Sequence, residues 1–433
     1  MRRTQLREQL LLLGLLLPAC QPGDHPTALP PVPTFVVGGT SAAGDSGRTT
    51  IEATASTPPS LAPLNPQSPA PTMSPPTAEL SLGGAAAPKG IWQDQPPLKS
   101  PRAFHAMFRY QGTVMAFGGD NRNLLDLLDE QSHQWRARAF PDPGHGWDTP
   151  PYFPAQMHPL GPATLLGPWV MLLGRPLEVG GLTVDFSPIL FNPVSGLMGP
   201  GPSATQTFLA HRTAAGVVSD PTATRVVVAG GETTRESLAP PGPDGVRPHE
   251  RITYTIVERI DFPSLQWQAL ASLPSPLSDP AIAWVEGGVI VAGGLRWMPA
   301  DGTAPESREG QDVVDADTAR PVPQRGCWRF DSRRNTWTVL PDLPAARHGA
   351  RALVVDDKFW VIGGRGENGQ PTRRCDILDL ISGKWTQGPS LRQARSHAAV
   401  LADGGGGIWV TGGLDSKMLP TDSVEFLERA GQP

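Results

Sequence analysis

The chain has 433 residues, a formal charge of −5 and only 18% charged residues. So weak a bias gives no electrostatic footprint for nucleic acid or another polyanion. Gly (48) and Pro (50) are both abundant, which points to turns and short strands rather than long helices.

Residues 1–20, MRRTQLREQLLLLGLLLPAC, place Arg2 and Arg3 ahead of an apolar run from Leu10 to Leu17 and end on small residues at Cys20. That is the layout of a secretory leader, and the run is too short to cross a bilayer. "LPAC" resembles the lipobox of bacterial lipoproteins, in which the Cys becomes the acylated first residue; Pro18 and Glu8 depart from that pattern. The resemblance implies lipidation at Cys20 and an exported protein held on an outer membrane or cell surface without spanning it. Ordinary cleavage, and a periplasmic protein, is the alternative. Residues 21–88 are rich in Pro, Thr, Ser and Ala, with no hydrophobic period. Such a segment cannot bury enough surface to offset its conformational entropy, so a disordered, extended linker is expected. The folded domain is then 89–433.

Within that domain one element recurs. "VMAFGGD" ends at Asp120, "VMLLGR" at Arg175, "VVVAGGE" at Glu232, "VIVAGGL" at Leu295, "FWVIGGR" at Arg365 and "IWVTGGL" at Leu414. Apolar runs closed by glycine at a period near 50 are the signature of a propeller array. A second mark is an Asp six residues before a Trp: Asp129 and Trp135, Asp261 and Trp267, Asp331 and Trp337, Asp379 and Trp385. Asp starts a tight turn by bonding backbone two residues on, and the Trp then falls on an outer strand, where splayed blades leave room for a large aromatic. Near the axis crowding demands glycine. Gly363 and Gly364 are therefore architectural rather than a phosphate loop, since no Lys-Ser or Lys-Thr pair opening a helix follows.

These residues resemble the kelch-repeat family, with Arg-x-x-His near the innermost strand (Arg102 and His105; Arg395 and His397 spaced one shorter), Gly-Gly after the second strand and Trp on the fourth. The resemblance implies an all-β, six-bladed kelch-type β-propeller. It leaves function open, since kelch propellers include enzymes, glycan binders and protein docks. "FNPVSGLM" in the second repeat lacks the Trp, and the sixth repeat stops before one. Trp92, just ahead of the first repeat, supplies the missing outer strand and closes the ring, which protects strand edges.

In a four-stranded antiparallel blade, the loop after strand two and the link to the next blade share one face. The long insertions, 141–159, 233–250 and 296–325, fall there, and long loops on a rigid scaffold carry function. Disorder is the rival reading for 296–325. On that face strand starts place Arg102, His105, His158, His211, Arg347, His348, Arg395 and His397 near the axis, and the residues after the glycines are Asp120, Arg122, Arg175, Glu232 and Arg365. A cationic ring with two carboxylates suits an anionic or sugar ligand. Alternatively, Arg and His at strand one belong to the repeat and bond backbone between blades.

No closely spaced metal motif is present, so neither a metal nor another cofactor is expected; the alternative is zinc or copper on a His cluster at the channel mouth. The copper-radical chemistry of galactose oxidase, a kelch-family enzyme, needs a Tyr–Cys crosslink; Cys327 and Cys375 fall on outer third strands, far from the axis. Their equivalent positions in neighbouring blades exceed the roughly 7 Å limit for a disulfide, so both are expected to stay unpaired. No nucleophile elbow appears. The expectation is a non-catalytic binding module for a protein or carbohydrate, a monomer, with membrane contact through Cys20. The alternative, implied by resemblance to exported sialic-acid mutarotases, uses Glu232 as acid/base with Arg175, Arg347 and Arg365 on the carboxylate.

Overall fold

The computed structural model describes residues 90–119, 124–129, 131–139, 163–173, 177–179, 182–184, 189–194, 198–200, 212–237, 247–308 and 310–428. The leader, Cys20, the 21–88 segment and the 141–159 insertion lie outside them, as do Asp120, Arg122, His158, Arg175 and His211.

The chain enters at β1 (Trp92–Gln95). Blade 1 is β2 (Ala106–Tyr110), β3 (Thr113–Phe117), β4 (Leu124–Asp129) and β5 (Gln134–Ala139). Blade 2 is β6 (Ala163–Leu166) and β7 (Trp169–Leu172), then a small hairpin of β8 (Leu177–Val179) and β9 (Leu182–Val184), then β10 (Ile189–Phe191) and β11 (Met198–Pro200). Blade 3 starts with β12 (Gly216–Ser219) and β13 (Arg225–Ala229), is interrupted by β14 (Glu232–Glu236) and β15 (His249–Tyr254), and ends with β16 (Val257–Asp261) and β17 (Gln266–Leu270). Blade 4 starts with β18 (Ala281–Val285) and β19 (Gly288–Ala292). It is interrupted by β20 (Leu295–Met298), β21 (Glu306–Arg308), β22 (Gln311–Asp315) and β23 (Arg320–Pro323), and ends with β24 (Cys327–Asp331) and β25 (Thr336–Leu340). Blade 5 is β26 (Arg351–Val355), β27 (Lys358–Ile362), β28 (Cys375–Asp379) and β29 (Trp385–Gln387). Blade 6 is β30 (Ala399–Ala402), β31 (Ile408–Thr411) and β32 (Val424–Leu427), completed by β1.

The inner strands β2, β6, β12, β18, β26 and β30 neighbour one another in that order and back to β2. The protein is thus a six-bladed β-propeller, closed by antiparallel pairing of Trp92 with Leu427 through Gln95 with Val424. Six hydrophobic clusters fill the six seams between blades. In β27, Phe359 and Val361 face blade 4 while Trp360 and Ile362 face blade 6. Side chains alternate across a strand, and a blade is covered on both sides. That is why the second strands read as unbroken apolar runs.

The glycine pairs mark the same seams. A Cβ on Gly293 would lie 2.5 Å from the Arg347 carbonyl oxygen of the next blade; Gly363 meets Arg395 at 2.6 Å and Gly412 meets Arg102 at 2.5 Å. The second glycines, Gly294, Gly364 and Gly413, donate their N–H groups to the same three carbonyls. The backbone of the adjacent blade is what approaches the glycines. Aromatics bind the rim: the indoles of Trp337, Trp385 and Trp92 each donate to a backbone carbonyl of the preceding blade, on Ala271, Pro341 and Pro389. Three of the four Asp turns form as expected; Asp261, followed two residues on by Pro263, which has no N–H, instead accepts from Arg259. Asp129, Asp331 and Asp379 each accept two backbone N–H groups, two and three residues on.

The 233–250 and 296–325 insertions depart from the sequence expectation of separate loops. Strands β14, β15, β22 and β21 form a further four-stranded sheet, shared between blades 3 and 4, beside the two-stranded β20–β23 pair. Disorder does not describe the 296–325 insertion over its described residues. The shared sheet has a small core of Ile252, Tyr254 and Val313. Each insertion starts at the axial rim, where Glu232 bridges Thr213 and Leu295 bridges Ser278.

Candidate functional site at the axial mouth

Five blades enter their innermost strand through the same short segment: Arg102–Ala106, Arg212–Gly216, Leu277–Ala281, Arg347–Arg351 and Arg395–Ala399. The third residue of each has a left-handed backbone: Phe104 (φ 60°), Ala214 (52°), Asp279 (51°), Gly349 (61°) and His397 (53°). These residues form a chain of backbone hydrogen bonds around the mouth. The N–H of Asp279 donates to Ala214, Gly349 to Asp279, His397 to Gly349 and Phe104 to His397, at 2.5, 3.2, 2.7 and 2.8 Å. Left-handed geometry costs an L-residue about 1–2 kcal/mol, and here the ring of bonds imposes it. The alignment also separates two histidines that the sequence pairs. His397 is third in its segment, on the ring; His105 is fourth, buried between blades, with Nε2 2.8 Å from Thr411 Oγ1.

Three ring-side groups converge. Asp279 Oδ2 lies 3.0 Å from His348 Nδ1 and 2.7 Å from His397 Nε2. A carboxylate only accepts, so those two nitrogens carry protons. Arg351 stands 3.9 Å from the other oxygen, Oδ1, the Phe104 ring lies 4.1 Å from that of His397, and His397 Nδ1 is 3.1 Å from Ser396 Oγ. Burial works to raise the Asp279 pKa, but the two imidazoles outweigh it and hold the carboxyl well below its usual range. Burial lowers His397. A Ser–His–Asp row is thus present, but Ser396 is fully buried and offers no accessible nucleophile.

The other residues picked out in the sequence are placed differently. Arg102, Arg347 and Arg395 are buried inside their own blades, paired with Asp126, Asp376 and Glu425 on the third strands at 3.1, 2.7 and 2.6 Å. Arg212 pairs likewise with Glu258 at 2.8 Å. In blade 4 both partners are replaced together: Leu277 stands in the Arg position, and Trp328, opposite Val291, in that of the carboxylate. Arg365 donates Nε and Nη2 to the Gly369 carbonyl and so shapes its own loop. Glu232 accepts from Arg251 at 2.8 Å and from the Trp297 indole at 2.5 Å, with the Arg251 guanidinium 4.0 Å above that ring. It is a strut of the shared sheet. Cys327 and Cys375 are free and buried, and burial pushes both thiols up to about 12. Of the residues the sequence gathered near the axis, the structure brings His348 and His397 together. Asp279 was missed because nothing local in "PSPLSDPAI" marks it.

Comparison with known proteins is consistent with this architecture. Residues 346–392 match the model of the Kelch motif. The chain is 28% identical to beta-scruin of Limulus polyphemus over 156 residues, which cover 35% of this chain and 15% of that protein. It is 26% identical to alpha-scruin of the same animal over 151 residues (35% and 15%). It is 25% identical to Kelch-like protein 34 of Homo sapiens over 158 residues (36% and 23%). The match therefore spans under a quarter of the length of each of these relatives.

Proposed function

We propose that this kelch-repeat propeller is a binding module whose insertion-bearing face docks a partner protein, and that the protein is exported and membrane-attached through Cys20. The observation that carries the docking face is the shared sheet. Two insertions from neighbouring blades pair into one rigid platform, and binding elements gain from such preorganisation. Its surface is dense in charge. Arg235 and Arg308 are about half-exposed beside Glu250 and Glu306, and Arg296 grips Asp312 through two bonds. Fixed charges of both signs favour a protein surface of complementary pattern, which sets register and on-rate.

The sugar-acid mutarotase reading is less well supported. Both Glu232 oxygens and the Arg347 guanidinium are engaged in structural contacts, and Arg175 lies outside the described residues.

Photo-crosslinkers placed at exposed positions of the shared sheet should trap one protein partner in intact cells, and the same crosslinkers on the outer-rim turn at Ile381 should not. Arg235→Glu with Arg308→Glu should abolish trapping without changing the melting temperature. Equal trapping at both sites, or a binding signal only on a glycan array, refutes the protein-docking reading. Mass spectrometry of the mature amino terminus tests the anchor: a chain starting elsewhere than an acylated Cys20 refutes it.

A further inference from the structure

The ligand-type atoms of Asp279, His348 and His397 lie within 4.8 Å of one another, although the residues are 69 and 118 positions apart along the chain. They come from the entry segments of three consecutive blades. A tetrahedral ion with bonds of about 2.1 Å holds its ligand atoms roughly 3.4 Å apart. The observed 3.0 and 2.7 Å separations from Oδ2 would open by about 0.4 and 0.7 Å to reach that spacing. Two imidazoles and one carboxylate form a donor set for zinc-like first-row ions, not for calcium or magnesium, which take mainly oxygen.

Outer partners are in place as well. His397 Nδ1 faces Ser396 Oγ, and Arg351 lies beside Asp279 Oδ1. Such groups fix the tautomer of a ligating histidine and orient a ligating carboxylate. Asp279 and His397 also stand on the hydrogen-bonded ring, with backbones fixed in the left-handed region. Ligands held this way need little reorganisation.

We propose that Asp279 Oδ2, His348 Nδ1 and His397 Nε2 bind one divalent transition-metal ion of the zinc type at the axial mouth. The ion takes the place of the two shared protons. In each neutral ring the proton moves to the other nitrogen, which for His397 is the one facing Ser396. Three protein ligands leave a fourth position for water or for a donor on a docked partner. The side chains of Asp279 and His348 are each 13% exposed, so the mouth is accessible to solvent. The cationic Arg351 makes the site weaker than a closed four-ligand zinc site.

The test uses the full chain, stripped with chelator and titrated with Co²⁺. One Co²⁺ per chain should bind with visible d–d absorption, Zn²⁺ should displace it, and saturating Zn²⁺ should raise the melting temperature, as any ligand selective for the folded state does. His348→Ala should lower Co²⁺ affinity at least tenfold; it removes one of the two imidazole bonds to Asp279, so the metal-free melting temperature falls by a few degrees, but the variant still folds because His397 keeps its bond to the carboxylate and His348 is not part of the left-handed ring. Asp279→Asn should also lose the d–d signal. If Asp279→Asn fails to fold, His348→Ala alone decides. No Co²⁺ uptake by the wild type overturns the proposal, as does uptake with unchanged affinity and spectrum in His348→Ala, which would place the ion elsewhere.

Discussion

Replacing Arg395 by Leu repeats in blade 6 half of the substitution that blade 4 carries as a pair. Arg395 donates to Glu425 at 2.6 Å and to the carbonyls of Gly412 and Ser423 at 2.9 and 3.1 Å. Both side chains of the ion pair are essentially inaccessible. With charge centres about 4 Å apart and an effective dielectric of 20, the attraction is about 4 kcal/mol. Without the Arg, Glu425 keeps the N–H groups of Arg392 and Gln393 but stays buried with no cation. A loss of about 3–5 kcal/mol is expected. In Arg395→Leu/Glu425→Gln the single amide oxygen keeps one of those two N–H groups, which bond different oxygens of the carboxylate, and the side chain carries no charge. The double variant should therefore be at least about 1 kcal/mol more stable than the two single losses predict. Guanidinium unfolding followed by tryptophan fluorescence reads all four proteins. If the losses add to within about 0.5 kcal/mol, the pair is not coupled and the Leu277–Trp328 comparison explains nothing.

Gly369→Ala should cost about 1 kcal/mol of backbone strain, since its φ is +69° and nothing lies within 4 Å of the added Cβ. Gly363→Ala should cost about 1–3 kcal/mol more, because its Cβ would lie 2.6 Å from the Arg395 carbonyl; similar melting temperatures would contradict the seam assignment. Trp92→Ala should cost about 3–5 kcal/mol, whereas deleting residues 21–85 should leave the propeller's unfolding midpoint in place. In a Cys20→Ser chain, Cys327 and Cys375 should not react with a disulfide reagent at pH 8 until the protein unfolds. Thiols pushed up to about 12 are only roughly 10⁻⁴ ionised there, and a fast native-state reaction would overturn their burial. Burial first, then the charges of Arg102, Arg351 and Arg395, hold His105 well below its usual pKa. Below about pH 6.5 the unfolded chain takes up a proton that the folded one refuses, so stability falls with acidity. His105→Gln should flatten this slope by up to about 1.4 kcal/mol per pH unit, and an unchanged pH difference curve would show that His105 titrates normally.

The repeat was legible because each of its marks answers a local constraint: glycine where a neighbouring backbone passes, Asp where a turn starts, Trp where blades splay. Closure through Trp92 followed from the strand that the sixth repeat lacks. Arginine partners were half legible. In "LLDLLD", "VERID", "CDILD" and "VEFL" one carboxylate, Asp126, Glu258, Asp376 or Glu425, sits in the strand apart from any Asp at its end, and such a buried residue needs a cation in the fold. The shared sheet was not legible, because the pairing that joins it, β15 with β22, runs between two insertions and neither insertion alone alternates strongly enough to show a partner. Of the axial cluster, His348 and His397 were placed near the axis but Asp279 was not, for a similar reason. Metal motifs are recognised by short spacing, and here spacing is set by the circumference of a ring.

Closure by β1 also decides how the propeller meets mechanical load. Any pull on the chain ahead of Gly90 enters the fold at Trp92, the first residue of a four-residue outer strand paired only to β32. Tension applied there strips β1 from β32 one residue pair at a time rather than shearing all four pairs together. The first barrier it meets is extraction of a fully buried indole, with loss of its bond to Pro389. The element that completes the ring is thus the first that such a pull would load, and its release would expose the β32 edge of blade 6.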